Sequence, residues 1–350
     1  MGSTGESREM ANLNELAEKI RSARSILLTT HAGPDGDGIG SVVGLGRALE
    51  EQGHRVTRVL PEPVPERYRF LTPSGGILSL AEAQATLDGT VWDLALVLDT
   101  HQWEMLGALA PWLRSRRVPV VFLDHHPQST PGREDVFGSA EAAATGELVY
   151  GLLHDYLRWP ISRDAAEPIY VAISFDTNSF KYIRSNPASL LIAAELVRRG
   201  VDTNRVYRHL FASNSRGKAR LTGLVLSSVQ FDCGDRLAFV QIPYRTVQEL
   251  AVARDDLRDS ITHILEIQGV EIAATLKEME PGKVQISLRS KGNCSVNDVA
   301  VMMGGGGHAL AAGCDFTGTI EGAWARLRPP LAAALARCSA PDSTGDRAQS

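Results

Sequence analysis

The stretch Trp92-Asp-Leu-Ala-Leu-Val-Leu is apolar almost without a break and stops at Asp99-Thr100-His101. A run this short and uniform suits a strand buried on both faces, which requires a sheet covered by helices on both sides. The pattern recurs. Ser25-Ile-Leu-Leu-Thr-Thr runs into His31-Ala-Gly-Pro-Asp35-Gly-Asp37-Gly, and Pro119-Val-Val-Phe-Leu ends in Asp124-His125-His126. Helical spacing fills the gaps. Leu13, Leu16, Ala17 and Ile20 precede the first run, Gly38 to Glu51 follows it with Gly53 as a stop, and Met105 to Arg114 separates the other two. Strands alternating with helices predict an α/β fold with a mostly parallel sheet. In such sheets ligands bind beyond the carboxyl ends of the strands, where these Asp and His residues fall.

At 350 residues the chain is long enough for two domains, each with its own core. An N-terminal α/β domain is expected over 12–190. It includes a strand at Val56-Thr-Arg-Val-Leu and helices from Ala143 to Leu157 and Ala165 to Phe175, the latter delivering Asp176. Another helix begins after Asn186-Pro187 and stops at Arg198-Arg199-Gly200. Residues 191–230 read as a helical connector, with helices near 203–213 and 216–229. A smaller α/β domain is expected over 231–338, with strands at Leu237–Ile242, Glu271–Lys277 and Val284–Arg289. Its helices are expected near 246–253, 259–267, 296–303 and 321–337. The polar ends, 1–11 and 339–350, read as disordered.

The formal net charge of −5 argues against a long nucleic-acid track, though not against a short anionic substrate. Cys233, Cys294, Cys314 and Cys338 show no C-x-x-C pairing and read as free thiols in a reducing compartment. The N-terminus lacks signal-peptide order, and no apolar run approaches about 18 residues, so a cytoplasmic location and no membrane partner are expected.

Four segments deliver acids or imidazoles into loops: His31, Asp35 and Asp37; Asp99; Asp124, His125 and His126; and Asp176. Taken singly, each has an ordinary reading as a helix cap, a helix-dipole acid or a solvated side chain. Together at one sheet edge, so many carboxylates repel unless cations intervene. Imidazole with carboxylate suits Mn2+, Mg2+, Fe2+ or Zn2+, and two ions about 3.5–4 Å apart bridged by a carboxylate form a hydrolytic site. Two rival motifs fail on the same loop. Gly36, Gly38 and Gly40 have the wrong spacing for a dinucleotide fingerprint, and two acids would repel pyrophosphate. As a Ca2+ loop, Asp35-x-Asp37 would place Ile39 at a ligand position and Gly46 where the closing Glu belongs.

His31-x-x-Pro-Asp35-x-Asp37-x-x-Gly-Ser41, Leu98-Asp99-Thr, Asp124-His125-His126 and Phe175-Asp176-Thr resemble the four motifs of the DHH phosphoesterases. Gly304-Gly-Gly-Gly-His308-x-x-Ala-Ala-Gly313 resembles the signature of the DHH-associated C-terminal domain. The resemblance spans about Leu13 to Arg337, and its layout is similar to the nanoRNase/pAp-phosphatase family. It implies a manganese-dependent catalytic domain over 12–190 and a substrate-binding domain over 231–338. It further implies one metal on His31, Asp35 and Asp99, and a second on Asp37, Asp99, His125 and Asp176. His126 would face the scissile phosphate, Asp124 would orient a histidine, and metal-bound hydroxide would attack. Expected substrates are di- to pentaribonucleotides, released as nucleoside 5′-monophosphates, and pAp. No long duplex is expected, and a homodimer is compatible with the family. Met105, Gln128 and Asn178 depart from the family pattern at positions that commonly hold Arg, Asn and Gly.

In the second domain, Gly304 to Gly307 offers consecutive unhindered N–H groups suited to an anionic oxygen, and Arg289 ends a strand with a fork that matches phosphate. Separately these read as a flexible turn and a solvated strand end. The resemblance implies that Arg289, Gly305, Gly306, Gly307 and His308 contact substrate. The same superfamily offers alternatives: a cyclic or linear dinucleotide phosphodiesterase, a RecJ-like single-strand exonuclease, or a family II pyrophosphatase. A catalytically degenerate nucleotide-binding regulator is the reading from another class.

Overall fold

The computed structural model describes residues 3–127, 133, 135–183, 186–250, 254–292 and 294–338. It comprises two compact units, Met1–Ser213 and Asn214–Ser350, divided inside the stretch expected as a connector.

In the first unit, β1 (Ser25–Thr30), β2 (Arg55–Leu60), β3 (Leu78–Ser79), β4 (Leu94–Leu98), β5 (Val120–Leu123) and β6 (Val136–Phe137) form one sheet. Its order is β3-β2-β1-β4-β5-β6 and every pairing is parallel. The chain thus moves outward from β1 in one direction, returns to β4 and moves outward in the other. β1 and β4 therefore flank a topological switch point, the place where an open α/β sheet leaves a crevice. Every residue of β1 and β4 is buried, as their uninterrupted apolar character requires. Ile26, Leu28, Leu94 and Leu96 face one core, while Leu27, Ala95 and Val97 face the other.

The helices are α1 (Ser3–Ser22), α2 (Gly36–Glu51), α3 (Leu80–Thr86), α4 (Leu109–Ser115), α5 (Thr145–Gly151), α6 (Arg163–Asp176), α7 (Ala188–Arg198) and α8 (Thr203–Leu210). Residues of α1, α2, α5 and α6 fill the first core, and residues of α3 and α4 fill the second. Helix α1 begins at Ser3, although the polar sequence of 1–11 predicts disorder. The helix expected from Met105 to Arg114 is broken at Gly107, with a 3-10 turn over Trp103–Leu106 before α4.

Helix α2 approaches α6 closely because its contact face is glycine. A Cβ on Gly40 would lie 2.5 Å from the Pro168 carbonyl oxygen, and one on Gly44 would lie 2.6 Å from Ile169 Cγ1. This contact sets the end of α6, Asp176, beside the start of α2.

The second unit contains α9 (Arg216–Ser227), β7 (Gln230–Asp232), β8 (Leu237–Ile242), α10 (Tyr244–Leu250), α11 (Arg254–Leu265), β9 (Ile272–Glu280) and β10 (Lys283–Ser290). They are followed by α12 (Asn297–Met302), β11 (Gly306–His308), β12 (Ala311–Thr317) and α13 (Ile320–Arg337). The sheet order is β11-β12-β10-β9-β8-β7, with only β8 and β9 parallel. Residues of α12 and α13 pack on one face and residues of α9 and α11 on the other. The cysteine reading needs correction. Cys294 and Cys338 form a disulfide, while Cys233 and Cys314 are free. No helix is long and apolar enough to cross a membrane among the described residues.

Candidate metal centre

The loop after β1 meets the end of β4 at the switch point. Asp99, the first residue beyond β4, adopts φ +65°, a left-handed conformation uncommon outside glycine but tolerated by aspartate. Its two carboxylate oxygens face different histidines. Oδ2 lies 3.5 Å from His31 Nε2, and Oδ1 lies 3.7 Å from His125 Nε2. His31 Nε2 is also 3.8 Å from Asp35 Oδ1. His125 Nε2 is 3.8 Å from Asp37 Oδ2 and 3.1 Å from Asp176 Oδ2.

The structure thus gathers His31, Asp35 and Asp99 into one potential ion-binding group, and Asp37, His125 and Asp176 into another. A third grouping joins Asp99, Asp124, His125 and His126. All eight residues expected in the catalytic unit therefore meet at one sheet edge.

The ordinary reading of Asp35 also holds. Its Oδ1 caps α2 by accepting the N–H groups of Asp37 (3.0 Å) and Gly38 (3.1 Å). Asp37, in the first turn of α2, is fully buried and faces the start of α5. It accepts the N–H of Thr145 at 2.6 Å and that of Gly146 at 2.9 Å. The Thr145 hydroxyl donates to Asp99 Oδ1 at 3.0 Å. The N-terminus of α5 thereby steadies one acid from each histidine's neighbourhood.

Electrostatics explain why a cation fits. Burial, and then the charges of Asp99, Asp176 and Asp35, raise the Asp37 carboxyl well above its ordinary value. Burial also raises Asp99, to about 6, with Asp35 and Asp176 adding to the rise and the neighbouring His31 opposing it. Burial resists charging His31, but the carboxylates of Asp35 and Asp99 beside its Nε2 outweigh this and raise it to about 11. His125 is raised against the same burial cost, by Asp176 and Asp99.

Both imidazoles use Nδ1–H on a backbone carbonyl, His31 on Ala32 (2.9 Å) and His125 on Ala142 (3.2 Å). Each Nε2 is therefore turned toward carboxylate oxygens, and that of His125 is buried and makes no hydrogen bond among the described residues. A lone pair facing acids calls for a proton or a metal ion between them. The donor set of imidazole nitrogens and carboxylate oxygens fits a divalent cation.

Asp124 has a different role. Its Oδ1 accepts from His126 Nδ1 at 2.8 Å and its Oδ2 from His101 Nδ1 at 2.5 Å. Burial would raise this carboxyl, but the two histidine bonds hold it below its ordinary value. His126 is raised chiefly by its bond to Asp124. His101 is the residue that sequence reasoning missed. It is buried, and its Nε2 makes no hydrogen bond among the described residues. Its signal was the His two positions beyond Asp99 at the end of an apolar strand.

Of the departures from the family pattern, Asn178 has φ +48°, which explains why glycine is common there and why asparagine can replace it. Met105 accepts the Ala32 N–H through its carbonyl at 2.7 Å, so its backbone anchors the loop after His31. Gln128 lies outside the described residues.

The expected contacts of the second domain lie in the second unit. Arg289, Gly305 and Gly306 line a cavity of about 500 Å³ with Gln285, Ser287 and Asp315. Gly307 is not among its lining residues, and the side chain of His308 lies outside what the structure describes. A Cβ on Gly305 would strike the Gly313 carbonyl oxygen at 2.1 Å, and one on Gly307 would strike that of Ala311 at 2.5 Å. These two glycines permit close packing of β11 on β12, whereas Gly306 faces open space.

Residues 25–173 match the DHH family, N-terminal domain, and residues 238–328 match the DHHA1 domain. The chain is 29% identical over 334 residues to the bifunctional oligoribonuclease and PAP phosphatase NrnA of Thermus thermophilus, covering 91% of this chain and 92% of that protein. It is 26% identical to the protein of the same name from Bacillus subtilis, over 86% of this chain and 92% of the relative. Among solved structures, an exopolyphosphatase-related protein from Bacteroides fragilis superposes with a TM-score of 0.84 at 27% identity, covering 93% and 98% of the two chains. The Asp124-His125-His126 segment, the acids gathered around it and these matches agree: the chain carries a DHH family N-terminal domain in its first unit and a DHHA1 domain in its second.

Proposed function

We propose that the chain is a metal-dependent phosphoester hydrolase that cuts di- to pentaribonucleotides to nucleoside 5′-monophosphates and removes the 3′-phosphate of pAp. The single observation that carries the chemistry is Asp99, with one carboxylate oxygen near each of two histidines whose Nε2 atoms face acids. The substrate class is supported by relatives of nearly equal length named as oligoribonuclease and PAP phosphatase.

In this reading His31, Asp35 and Asp99 would hold one divalent ion, and Asp37, His125 and Asp176, together with Asp99, would hold a second. Mn2+ is the proposed native metal. Such ions, when bound, supply Lewis-acid activation of water and neutralise charge at phosphorus. The protein's own part is positional. Thr145 and Gly146 fix Asp37, Thr145 fixes Asp99, and main-chain carbonyls orient both imidazoles. His126, its Nδ1 held by Asp124, delivers a proton to the leaving oxygen. His101 holds the other oxygen of Asp124 and so fixes that carboxylate's plane. Arg289 and the cavity beside it take a phosphate of the nucleotide.

One panel tests this reading: purified chain and Mn2+ with di- to pentaribonucleotides, pAp, linear and cyclic dinucleotides, pyrophosphate and long single-stranded DNA. Turnover concentrated on short oligoribonucleotides and pAp is expected. Preference for long DNA or cyclic dinucleotides would overturn the substrate class and leave the chemistry standing.

A further inference from the structure

A buried lysine lies beneath the cavity of the second unit. Strand β10 alternates its side chains, so Gln285, Ser287 and Arg289 share one face. On one flank β12 sets Asp315, Gly313 and Ala311 opposite them, and on the other β9 sets Lys277, Thr275 and Ala273. The small Gly313 and Ala311 leave room above Ser287 and Arg289. Lys277 is only 1% exposed, and its ammonium donates to Ser287 Oγ at 3.0 Å and reaches the Leu257 carbonyl at 3.5 Å.

The chemistry of this pair is directional. An ammonium has donors and no acceptor, so Ser287 Oγ must accept from Lys277. The serine's own O–H is then left to donate, and among the described residues it meets no protein acceptor. Ser287 lines the cavity, as does Arg289, while Asp315 stands across from Gln285 at the other end. An anionic oxygen therefore finds donors at the Ser287–Arg289 end and repulsion at the Asp315 end.

We infer that Lys277 is a positioning residue that commits the Ser287 hydroxyl to donate to a substrate phosphate oxygen. This rests on the proposed reading of the cavity as a nucleotide-phosphate site. A bond of this kind to a charged oxygen corresponds to roughly tenfold in binding.

The test is steady-state hydrolysis of a diribonucleotide with Mn2+ by the full-length wild-type chain and by Ser287→Ala, Lys277→Met and the double variant. The expected result is a KM about tenfold higher in each single variant, with kcat retained. The double variant should be no worse than Ser287→Ala, because Lys277 acts through the serine. Should Lys277→Met fail to fold, Ser287→Ala still decides the donor role. Unchanged KM in Ser287→Ala, or multiplying effects in the double variant, would overturn the inference. Absence of turnover by the wild-type chain would instead overturn the functional reading on which it rests.

Discussion

Asp37 accepts the backbone N–H of Thr145 at 2.6 Å, and the hydroxyl of that threonine donates to Asp99 at 3.0 Å. One residue at the start of α5 therefore fixes two acids from different strand ends. Replacing Thr145 by Val keeps the N–H and removes the hydroxyl. We expect Mn2+ affinity about tenfold weaker, because partners behind metal ligands commonly contribute that much. Calorimetric titration with Mn2+ measures it, and unchanged affinity would show that Thr145 serves only packing.

The acid cluster predicts how stability responds to pH without metal. Asp99, raised to about 6, and His31, raised to about 11, keep protons in the folded chain that the unfolded chain has released. Stability contributed by a retained proton falls as pH rises, through the carboxyl range for Asp99 and from about 6.5 upward for His31. The EDTA-treated chain should melt lower at pH 8.5 than at pH 6.5. Mn2+, taking the place of those protons, should raise Tm more at pH 8.5. Thermal melts under the four conditions check this, and a metal-free chain that is more stable at pH 8.5 would contradict it.

His126 separates two roles for the third acid-imidazole grouping. As a proton donor held by Asp124, its replacement by Asn should lower kcat by about 10²- to 10⁴-fold and leave Mn2+ binding intact. Loss of a bound ion in His126→Asn would make it a ligand instead. Metal content and kcat measured on the same preparation decide between them.

Gly40 links the fold to the site. A methyl group there meets the Pro168 carbonyl oxygen at 2.5 Å and Ala172 N at 2.8 Å, and neither backbone atom can yield cheaply. Gly40→Ala should cost about 1–3 kcal/mol by overpacking. It should also weaken Mn2+ binding, because α6 carries Asp176. Urea unfolding with metal titration reads both effects.

Much of this site was legible because its strands are short, apolar and end on chemistry-bearing residues. β1, β4 and β5 could be read from Ile26–Leu28, Leu94–Leu98 and Val121–Leu123, each run stopping where a polar side chain reaches the sheet edge. Less of the second unit was legible. β11 pairs with β12 through Gly306, Gly307, Ala311, Ala312 and Gly313, which carry no strand preference, so that pairing depends on close backbone approach. The four-glycine run read as a cradle of N–H groups, yet Gly305 and Gly307 are small for packing. His101 was hidden because its role depends on Asp124, which lies 23 positions away. Lys277 could not be singled out either. In the sequence it is one more lysine in a strand, and only the register opposite Gln285 places it under the cavity.

The central claim is that Asp99 is shared by two ions. Equilibrium titration of the metal-free chain with Mn2+ tests it most directly, comparing wild type with Asp99→Ala. The account predicts two ions per wild-type chain and weakened binding at both sites in the variant, with diribonucleotide hydrolysis abolished. A single ion in the wild type, or one site of unchanged affinity in Asp99→Ala, would contradict it.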